Sequence, residues 1–517
     1  MKQAITARAY GGALPPDRFN IAEACIARQV QETPDKTALI VAHDAGDSRL
    51  DEIWTYAGLE DAVLRAATAI AGLGVQPGDR VLLRLGNTSG TAVAFLAATA
   101  AGAIAIPVSS QLTGADIEFI CGDTEPALVI AAPDLPTGDV GERHRLIPEA
   151  DFLARAETAE RGGYANTRAD DPAYLVYTSG ATSRPKGVLH AHRALWGRRP
   201  MYADWYAMTS ADVMLHAGSL NWTYTLGTGL LDPLVNGATG VVYSGERAAD
   251  AWPRLIDRFS ATLFAAVPTV YRQVLKYCNI SASSIPTLRH GLAAGEPLRP
   301  EIASEWGERT GREIHEAFGM SEVSTYISSP PGVEPRLGSP GKPQRGRAVA
   351  ILPTEDGVEP LPTGEVGLLS VHRSDPALML GYWNRPDEDP FRGDWFITGD
   401  LASMDADGYI RPAGRRDDVM KVLGYRVSPA EVEGVLCAHP GVSEAAAVAI
   451  EPRTGVSVIR ACVVPRDETA LDTDELTEFA RERLAAYKVP HEIVVMDALP
   501  RTPNGKVLRA QLRETAT

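Results

Sequence analysis

The chain has 517 residues, of which 45% are hydrophobic and 22% are charged. This balance is that of an ordinary globular protein and excludes a disordered chain, a fibre or a small disulfide scaffold. The chain carries 50 Lys and Arg against 66 Asp and Glu, a formal net charge of −16. Such an excess of acid argues against nucleic acid or an anionic membrane as the principal partner.

The cysteines and the apolar stretches indicate the cellular compartment of the protein. Five cysteines are widely spaced and form no CxxC pair, which favours a reducing environment. The amino-terminal residues contain no apolar run of the kind found in a signal peptide. The stretch AVAFLAATAAGAIAIPV is interrupted by Gly102 and Pro107, and it predicts a buried helix followed by a strand rather than a membrane span. We therefore expect a cytoplasmic protein without a membrane-spanning helix.

Short apolar runs alternate with helical patterns along most of the chain. The segment YAGLEDAVLRAATAIAGLG has helical spacing and a stop signal at Gly74. Buried strands are predicted in DRVLLRLG, GAIAIPV, PALVIAA, AYLVYTSG, ATGVVYS, ATLFAAVP and LRHGLAAG. This alternation predicts an α/β fold, with a large N-terminal domain built on parallel-rich sheets.

Two later segments differ from this pattern. Residues 335–412 are rich in Gly, Pro and Asp between short apolar runs, which predicts a β-rich subdomain. In the last hundred or so residues, the patterns predict two helices and two strands. One of these helices has Asp472 and Glu475 at its start and Pro490 beyond its end. The C-terminal part is therefore predicted to be a separate, small α+β domain.

The segment YLVYTSGATSRPKGVLHAH, residues 174–192, joins a predicted strand to a loop rich in hydroxyl groups, glycine and lysine. Glycines let backbone N–H groups approach an anion, while the hydroxyls and the lysine add donors and charge. The segment therefore indicates phosphate binding, although its spacing does not fit a Walker A loop. On composition alone, an ordinary Ser/Gly turn with a solvated lysine is equally consistent.

Four further segments follow in order: AAGEPLRPE (293–301), HEAFGMSEVS (315–324), the stretch from DWFITGD to SPAEVE (394–433) and LPRTPNGKVLR (499–509). Together with the loop, they resemble the adenylate-forming superfamily, which includes acyl-CoA synthetases, luciferases and nonribosomal adenylation domains. The resemblance covers nearly the whole chain. It implies an enzyme that converts a carboxylate and ATP into an acyl-adenylate and pyrophosphate, and then passes the acyl group to a thiol.

The resemblance also implies a nucleotide site. Adenine is expected on Phe318, the ribose on Asp400 and Arg415, and Mg²⁺ on Glu322, since this hard cation prefers carboxylate and phosphate oxygens. The expected nucleotide-binding residues are Thr178, Ser179, Gly180, Thr182, Lys186, Gly295, Glu296, Pro297, Phe318, Gly319, Ser321, Asp400 and Arg415. The expected catalytic residues are Thr182, Lys186, Glu322 and Lys506.

The C-terminal part is expected, by the same resemblance, to serve both half-reactions. Lys506 would bridge the substrate carboxylate and the α-phosphate during adenylation. Gly424 and Tyr425 would face the active site in the thiol step, where the missing side chain of Gly424 leaves room for the pantetheine of coenzyme A. Asp417 matches the hinge position. We thus expect an N-terminal adenylation domain over residues 1–416 and a mobile C-terminal lid domain over residues 417–517.

The acyl pocket is expected near LHAGSLNWTYTLGTG (215–229) and after Phe318. That stretch contains no Asp or Glu, which disfavours an amino acid substrate because its ammonium group would lack a partner. Acetate-specific synthetases carry a bulky Trp where this chain has Gly319, so an acid larger than propionate is expected. Aromatic side chains in the stretch favour an aromatic, benzoate-like acid or a medium-length one. The expected pocket residues are His216, Asn221, Trp222, Tyr224, Gly319 and Ser324.

These expectations describe an ATP-dependent acid–CoA ligase that uses Mg²⁺ and coenzyme A. Two alternatives remain open: a stand-alone adenylation enzyme that loads an acyl-carrier protein, and an inactive nucleotide-binding homologue. No carrier attachment motif follows Lys506, which favours free coenzyme A. The segment PRTPNGK (500–506) also resembles sites modified by bacterial protein lysine acyltransferases. Acetylation of Lys506 by an acyltransferase, reversed by a deacetylase, is therefore a further hypothesis, and catalytic constraint on the loop explains the motif equally well.

Overall fold

The structure is a computed structural model of the chain. It describes residues 3–178, 185–333, 335–336, 338–416, 418, 420–422, 425–453, 456–466, 471–501 and 507–514. The chain divides into two compact units. The larger unit comprises Ala7–Ala348 and Arg373–Asp389, and the smaller unit comprises Met1–Thr6, Val349–His372 and Pro390–Thr517.

The strands in chain order are β1 Thr37–Ala42, β2 Glu52–Thr55, β3 Arg80–Arg84, β4 Ile104–Pro107, β5 Leu128–Ala131, β6 Leu146–Pro148, β7 Pro172–Thr178, β8 Lys186–Ala191, β9 Val213–His216, β10 Thr239–Tyr243, β11 Leu263–Ala266, β12 His290–Ala293, β13 Ile314–Met320, β14 Ser324–Ser328, β15 Lys342–Pro343, β16 Val349–Leu352, β17 Gly367–His372, β18 Gly381–Tyr382, β19 Phe391–Arg392, β20 Trp395–Met404, β21 Ile410–Arg415, β22 Met420–Val422, β23 Tyr425–Val427, β24 Val442–Arg453, β25 Val456–Pro465 and β26 Glu492–Val495.

The α-helices are α1 Ile21–Glu32, α2 Tyr56–Gly72, α3 Ser89–Ala100, α4 Gly114–Thr124, α5 Val140–Arg143, α6 Glu149–Thr158, α7 Arg193–Gly197, α8 Arg199–Met201, α9 Thr223–Thr225, α10 Asp232–Val235, α11 Ala251–Arg258, α12 Pro268–Tyr277, α13 Pro300–Thr310, α14 Pro429–Cys437, α15 Thr473–Arg481 and α16 Arg509–Glu514. Tyr202–Tyr206 and Leu226–Leu231 form π-helical turns. Ala282–Ser284 and Ala486–Lys488 form 3₁₀ turns. None of the helices in the described ranges is both long and apolar enough to cross a membrane.

The described residues of the larger unit form two sheets. The nine-stranded sheet has the order β15-β14-β13-β12-β11-β9-β10-β1-β2, and the seven-stranded sheet has the order β18-β8-β7-β4-β3-β5-β6. In the first sheet, the neighbouring strands β10, β9, β11, β12 and β13 run parallel. Their carboxyl ends therefore meet at one edge, which is where open α/β sheets bind ligands.

The apolar stretch around Gly102 forms the expected helix and strand. Every residue of α3 is buried, because Ala, Val, Phe and Leu cover all faces of the helix rather than one stripe. Gly102 then adopts a φ of +74°, a left-handed conformation that glycine enters at little cost, and β4 follows. The prediction of a buried helix and a strand is confirmed.

The smaller unit is built from shorter sheets. Strands β16, β17, β20 and β19 pair in that order, with β21 added to β20, and β24, β25 and β26 form a three-stranded sheet. Helix α15 begins after Asp472, whose carboxylate accepts hydrogen bonds from the backbone N–H groups of Asp474 and Glu475, so the predicted helix start is confirmed. The α/β fold class is also confirmed, whereas the boundary at residues 416 and 417 stays a prediction.

A candidate acyl and nucleotide site

A cavity of about 160 Å³ lies in the larger unit at the carboxyl ends of three parallel strands. Its walls come from the segment after β9, from the residues after β12 and from the end of β13 with the start of β14. Because β9, β12 and β13 all point toward this edge, residues distant in sequence meet here. The lining residues are Arg198, Trp222, Thr223, Tyr224, Thr228, Ala294, Gly295, Gly319, Met320, Ser321, Ser324 and Thr325.

Two aromatic side chains form one wall of the cavity. The rings of Trp222 and Tyr224 meet edge to face with centroids 5.5 Å apart, an arrangement that aromatic quadrupoles favour. Trp222 packs over Gly295, where an added Cβ would lie 2.8 Å from its Cη2 atom. Gly295 also has a φ of +91°, so both its backbone conformation and this close approach require glycine. The wall is therefore closely packed and largely apolar.

Gly319 lies where β13 and β14 approach each other closely. An added Cβ would lie 2.3 Å from the Ser324 carbonyl oxygen and 2.5 Å from the Thr325 Cα atom. The register of the β13–β14 pair also shifts between Phe318 and Gly319. Gly319 lines the cavity, so the missing side chain leaves space there and also lets the two strands come together.

A buried ion pair stands at the cavity wall. Arg198, between α7 and α8, has a side chain 6% exposed, and that of Asp232 is fully buried. The Nε and Nη2 atoms of Arg198 donate to the two carboxylate oxygens of Asp232 over 2.8 and 2.6 Å. Burial would lower the pKa of Arg198, but Asp232 attracts its charge and raises that pKa overall. Sequence reasoning missed Arg198, because the pair Arg198–Arg199 has no pattern that separates a buried arginine from an exposed one.

Lys186 and Glu322, two residues of the expected phosphate and metal site, lie close to one tyrosine. The ammonium of Lys186 is 5.3 Å from the centre of the Tyr382 ring, and the Tyr382 hydroxyl donates to Glu322 Oε1 over 2.9 Å. Lys186 also pairs with Glu388 at 2.5 Å. The structure thus links the expected phosphate-binding lysine to the expected metal-binding carboxylate.

Other expected residues of the larger unit have contacts of their own. Glu296 accepts a hydrogen bond from the Thr269 hydroxyl at 2.8 Å, and Phe318 meets the Tyr326 ring edge to face. Pro297 is exposed. Burial raises the pKa of Glu316, which precedes Phe318 by two residues, to about 7, although the Leu298 N–H group donates to its carboxylate.

Two of the expected pocket residues, His216 and Asn221, are not among those that line the cavity. Burial lowers the pKa of His216 to about 3, with help from the charges of Arg247 and Arg198. Its Nδ1 atom accepts from the Gly218 N–H group over 2.9 Å, so the neutral ring carries its proton on Nε2. Asn221 is half-buried.

The expected ribose ligands lie in the smaller unit. Arg415 Nη1 donates to Asp400 Oδ1 over 3.2 Å, and the two residues face each other across the β20–β21 pair. The Asp400 side chain is 13% exposed and that of Arg415 is 39% exposed. The structure therefore brings these two residues together.

Six of the expected site residues lie outside the described residues: Ser179, Gly180, Thr182, Asp417, Gly424 and Lys506. Thr178 ends β7 opposite Lys186, and Tyr425 begins β23. Within the described ranges, no group of three or more His, Cys, Asp or Glu side chains is arranged to hold a metal ion. All assignments of residues to ligands stay predictions.

Comparison with known proteins identifies the class. A family model for AMP-binding enzymes matches residues 26–383, and a model for the C-terminal domain of AMP-binding enzymes matches residues 431–506. This chain is therefore an adenylate-forming enzyme by fold and sequence. More narrowly, it belongs to the adenylate-forming acid–CoA ligase family.

Several relatives and solved structures are similar to this chain over most of its length. The chain is 32% identical over 518 residues to the benzoate–CoA ligase of Thauera aromatica, covering 96% of each protein. It is 31% identical over 497 residues to the uncharacterized acyl–CoA ligase YtcI of Bacillus subtilis, covering 93% of each. A benzoate CoA ligase structure from Burkholderia xenovorans matches with a TM-score of 0.85 and 32% identity, covering 96% of this chain and all of that one. These matches confirm the predicted family.

Proposed function

We propose that the protein is an ATP-dependent ligase that joins a monocyclic aromatic carboxylic acid to coenzyme A. The observation that carries this proposal is the cavity with Trp222 and Tyr224 in its wall. Its volume of about 160 Å³ suits a single ring, because an apolar cavity of about 150 Å³ already accommodates benzene. Relatives named as benzoate and hydroxybenzoate ligases support the same substrate class.

The reaction has two steps. In the first, a carboxylate oxygen of the acid attacks the α-phosphorus of ATP, a P–O bond forms, and the bond to the β-phosphate breaks to release pyrophosphate. In the second, the thiolate of coenzyme A attacks the acyl carbon, a C–S bond forms, and AMP leaves with the electron pair of the C–O bond. Positioning of the reactants and neutralisation of the phosphate charge supply most of the catalysis in the first step.

Lys186 is proposed to bind the β- and γ-phosphates together with the hydroxyls and backbone of Thr178, Ser179, Gly180 and Thr182. Its side chain is about one-third exposed, which supports this role, because the ammonium can exchange one anionic partner for another without deep burial of a charge. Ser321 lines the cavity and is proposed to donate to the α-phosphate. The carboxylate of the acid would then lie between the aromatic wall and the phosphates.

Glu322 is proposed as the protein ligand of Mg²⁺. Its Oε1 atom accepts from Tyr382, which fixes the carboxylate, and no three-residue ligand cluster exists in the described ranges. A single carboxylate fits Mg²⁺, which usually binds one or two protein carboxylates and completes its shell with water and nucleotide phosphates. When bound, the ion would neutralise phosphate charge.

The remaining roles concern the adenosine and the smaller unit. The main chain of Gly295, Glu296 and Pro297 is proposed to line the adenine. Phe318 is proposed to stack on it, and the hydrogen-bonded pair Asp400 and Arg415 to hold the ribose. The residues proposed to serve each half-reaction in turn are Lys506 for adenylation, Gly424 and Tyr425 for the thiol step, and Asp417 as the hinge between them. The cytoplasmic location indicated by the cysteine pattern stays a prediction.

A pyrophosphate-release assay over a panel of acids tests the proposal. The panel contains benzoate, the three hydroxybenzoates, the three methylbenzoates, acetate, hexanoate and phenylalanine, each with and without coenzyme A. We expect release with aromatic acids, and a thioester and AMP when coenzyme A is present. Turnover restricted to acetate, hexanoate or phenylalanine would contradict the aromatic assignment. Adenylate formation without any thioester would favour the alternative, an enzyme that loads a carrier protein.

A further inference from the structure

The cavity wall contains a charged side chain that the reaction as proposed does not use. The Arg198 guanidinium is nine-tenths or more buried and lines the cavity beside Thr228 and Ser324. A buried arginine costs a large desolvation free energy unless it is paired, and Asp232 supplies that pairing through two short hydrogen bonds.

The five N–H groups of the guanidinium are not all used by the protein. Nε and Nη2 face Asp232, and Nη2 also reaches the hydroxyls of Tyr206 and Thr228 at 3.3 and 3.4 Å. Nη1 donates to the Ser324 hydroxyl, which is its one acceptor in the described part of the chain. Since Nη1 carries two hydrogens, one donor remains on this atom, and its partner Ser324 lines the same cavity as Arg198.

The guanidinium is held in place before any ligand binds. It packs closely against Gly227, where an added Cβ would lie 2.2 Å from the Arg198 Cζ atom. The Tyr206 hydroxyl donates to Asp232 Oδ2 over 2.8 Å and fixes the carboxylate as well. A donor that is fixed in advance loses little entropy when it meets an acceptor.

The net charge of the Arg198–Asp232 pair determines which substituent on the ring of the acid can accept a hydrogen bond from Arg198. Asp232 already neutralises the arginine, so the pair presents a hydrogen-bond donor without net positive charge. A second carboxylate on the ring would bring an uncompensated negative charge into the cavity, which is costly. A phenolic hydroxyl avoids that cost, because it accepts from Nη1 and donates to the Ser324 oxygen.

We propose that Arg198 and Ser324 bind an uncharged hydroxyl substituent on the ring of the acid, so that the enzyme selects hydroxybenzoates over unsubstituted and methyl-substituted benzoates. This inference rests on the proposed function, since it requires an aromatic acid in the cavity. Arg198 is thereby a specificity-determining residue that contacts the substrate, in addition to its part in the ion pair.

The wild-type enzyme provides the first test. The specificity constant kcat/KM is measured for each hydroxybenzoate and for the methylbenzoate of the same substitution, which has nearly the same shape. At one ring position we expect the hydroxyl compound to be preferred by at least about 100-fold, because the methyl compound leaves buried polar groups unpaired. Equal constants for all three pairs would overturn the inference while leaving the proposed function intact. Absence of turnover with every aromatic acid would overturn both.

Two variants then test the residues. Ser324→Ala removes one partner of the hydroxyl, and the double substitution Arg198→Met with Asp232→Leu replaces the ion pair by apolar groups, a change that buried pairs often tolerate. Both are expected to lower the ratio of kcat/KM for hydroxybenzoate over methylbenzoate by at least about tenfold. If the double variant does not fold, Ser324→Ala and the wild-type series decide the matter.

The matched control is Arg289→Met, which breaks the ion pair of Arg289 with Asp212, a pair that does not line the cavity. Its selectivity ratio is expected to equal that of the wild type. An unchanged ratio in the test variants would show that Arg198 is structural. An equal loss of both substrates would show that it meets the reacting carboxylate instead. Either result overturns the inference, as does a preference for a benzene dicarboxylate over every hydroxybenzoate.

Discussion

The Lys186 ammonium lies 2.5 Å from a carboxylate oxygen of Glu388. Both side chains are about one-third exposed, so the pair is partly hydrated and exchangeable. Tyr382 lies beside the lysine and donates to Glu322. If Lys186 binds the nucleotide phosphates as proposed, those phosphates compete with Glu388 for its ammonium group.

The first prediction concerns this competition. Glu388→Gln removes both the partner of Lys186 and one negative charge near the phosphates, and we expect the KM for ATP to fall about two- to fivefold, since a partly exposed ion pair contributes up to about 1 kcal/mol. The KM is measured at saturating acid and coenzyme A. Glu305→Gln, which breaks the exposed pair with Arg309 in the same unit, serves as the control. A KM that stays the same or rises in Glu388→Gln would contradict the prediction.

The second prediction uses the packing of Arg198 on Gly227. Gly227→Ala places a methyl group within 2.2 Å of the Arg198 Cζ atom, so the guanidinium must move away from its present position. We expect a loss of stability of about 1–3 kcal/mol, typical of overpacking, and a lower preference for hydroxybenzoates. Gly72→Ala, where an added Cβ meets nothing within 4 Å, is the control. Full retention of the preference in Gly227→Ala would mean that the guanidinium position does not matter.

Local elements of the fold could be predicted from the sequence because their signals are local. The runs DRVLLRLG and PALVIAA became β3 and β5, since short apolar runs between turn residues have few alternatives to a buried strand. Helix α2 ends at Gly72, and Gly74 follows with a φ of +88°, close to the predicted stop.

The cavity was less predictable than the strands. Arg198 and Arg199 are neighbours in sequence, yet Arg198 is buried at the cavity while Arg199 is exposed over the Trp196 ring. The difference arises from Asp232 and Gly227, which lie some thirty residues away in sequence. No periodic pattern in a single sequence records such a pairing, so only the packing of the chain identifies Arg198.

The family resemblance and the packing give different reasons why residue 319 is glycine. The resemblance attributes its small size to pocket depth, whereas the structure adds the close approach of β14. We predict that Gly319→Ala loses about 1–3 kcal/mol of stability by overpacking and loses activity toward all acids together. The measurements are the thermal midpoint and kcat/KM for benzoate and acetate. If Gly319→Ala is stable and its kcat/KM shifts from benzoate toward acetate, pocket depth alone would explain why residue 319 is glycine.

The fourth prediction concerns Lys506, which lies outside the described residues. Lys506→Ala is expected to reduce adenylate formation by at least about 10²–10³, because a donor that stabilises transition-state charge is lost. Thioester formation from supplied acyl-adenylate should largely survive, since the lysine is proposed to act only in the first step. Acetylation of Lys506 removes the same charge and is expected to have the same effect, reversed by a deacetylase. Equal losses in both half-reactions would contradict the assignment.

The last prediction concerns pH and Glu316. Burial raises the pKa of this carboxyl from 4.5 to about 7, against the opposing effect of the Leu298 N–H group. The folded protein thus keeps a proton that the unfolded chain releases. The contribution of this protonated carboxyl to the free energy of unfolding is complete below the pKa of Glu316 in the unfolded chain. It is lost as pH rises through the pKa of Glu316 in the folded protein. Over that window it amounts to about 3 kcal/mol, at 1.36 kcal/mol per pKa unit.

Glu316→Gln removes this titration and keeps an acceptor for the Leu298 N–H group. We expect the thermal midpoint of the variant, relative to that of the wild type, to be higher at pH 8 than at pH 5. Glu301→Gln, which changes an exposed carboxylate at the start of α13, should show the same difference from the wild type at both pH values. If the difference in thermal midpoint between Glu316→Gln and the wild type is the same at pH 5 and pH 8, Glu316 is ionised in the folded protein throughout this pH range.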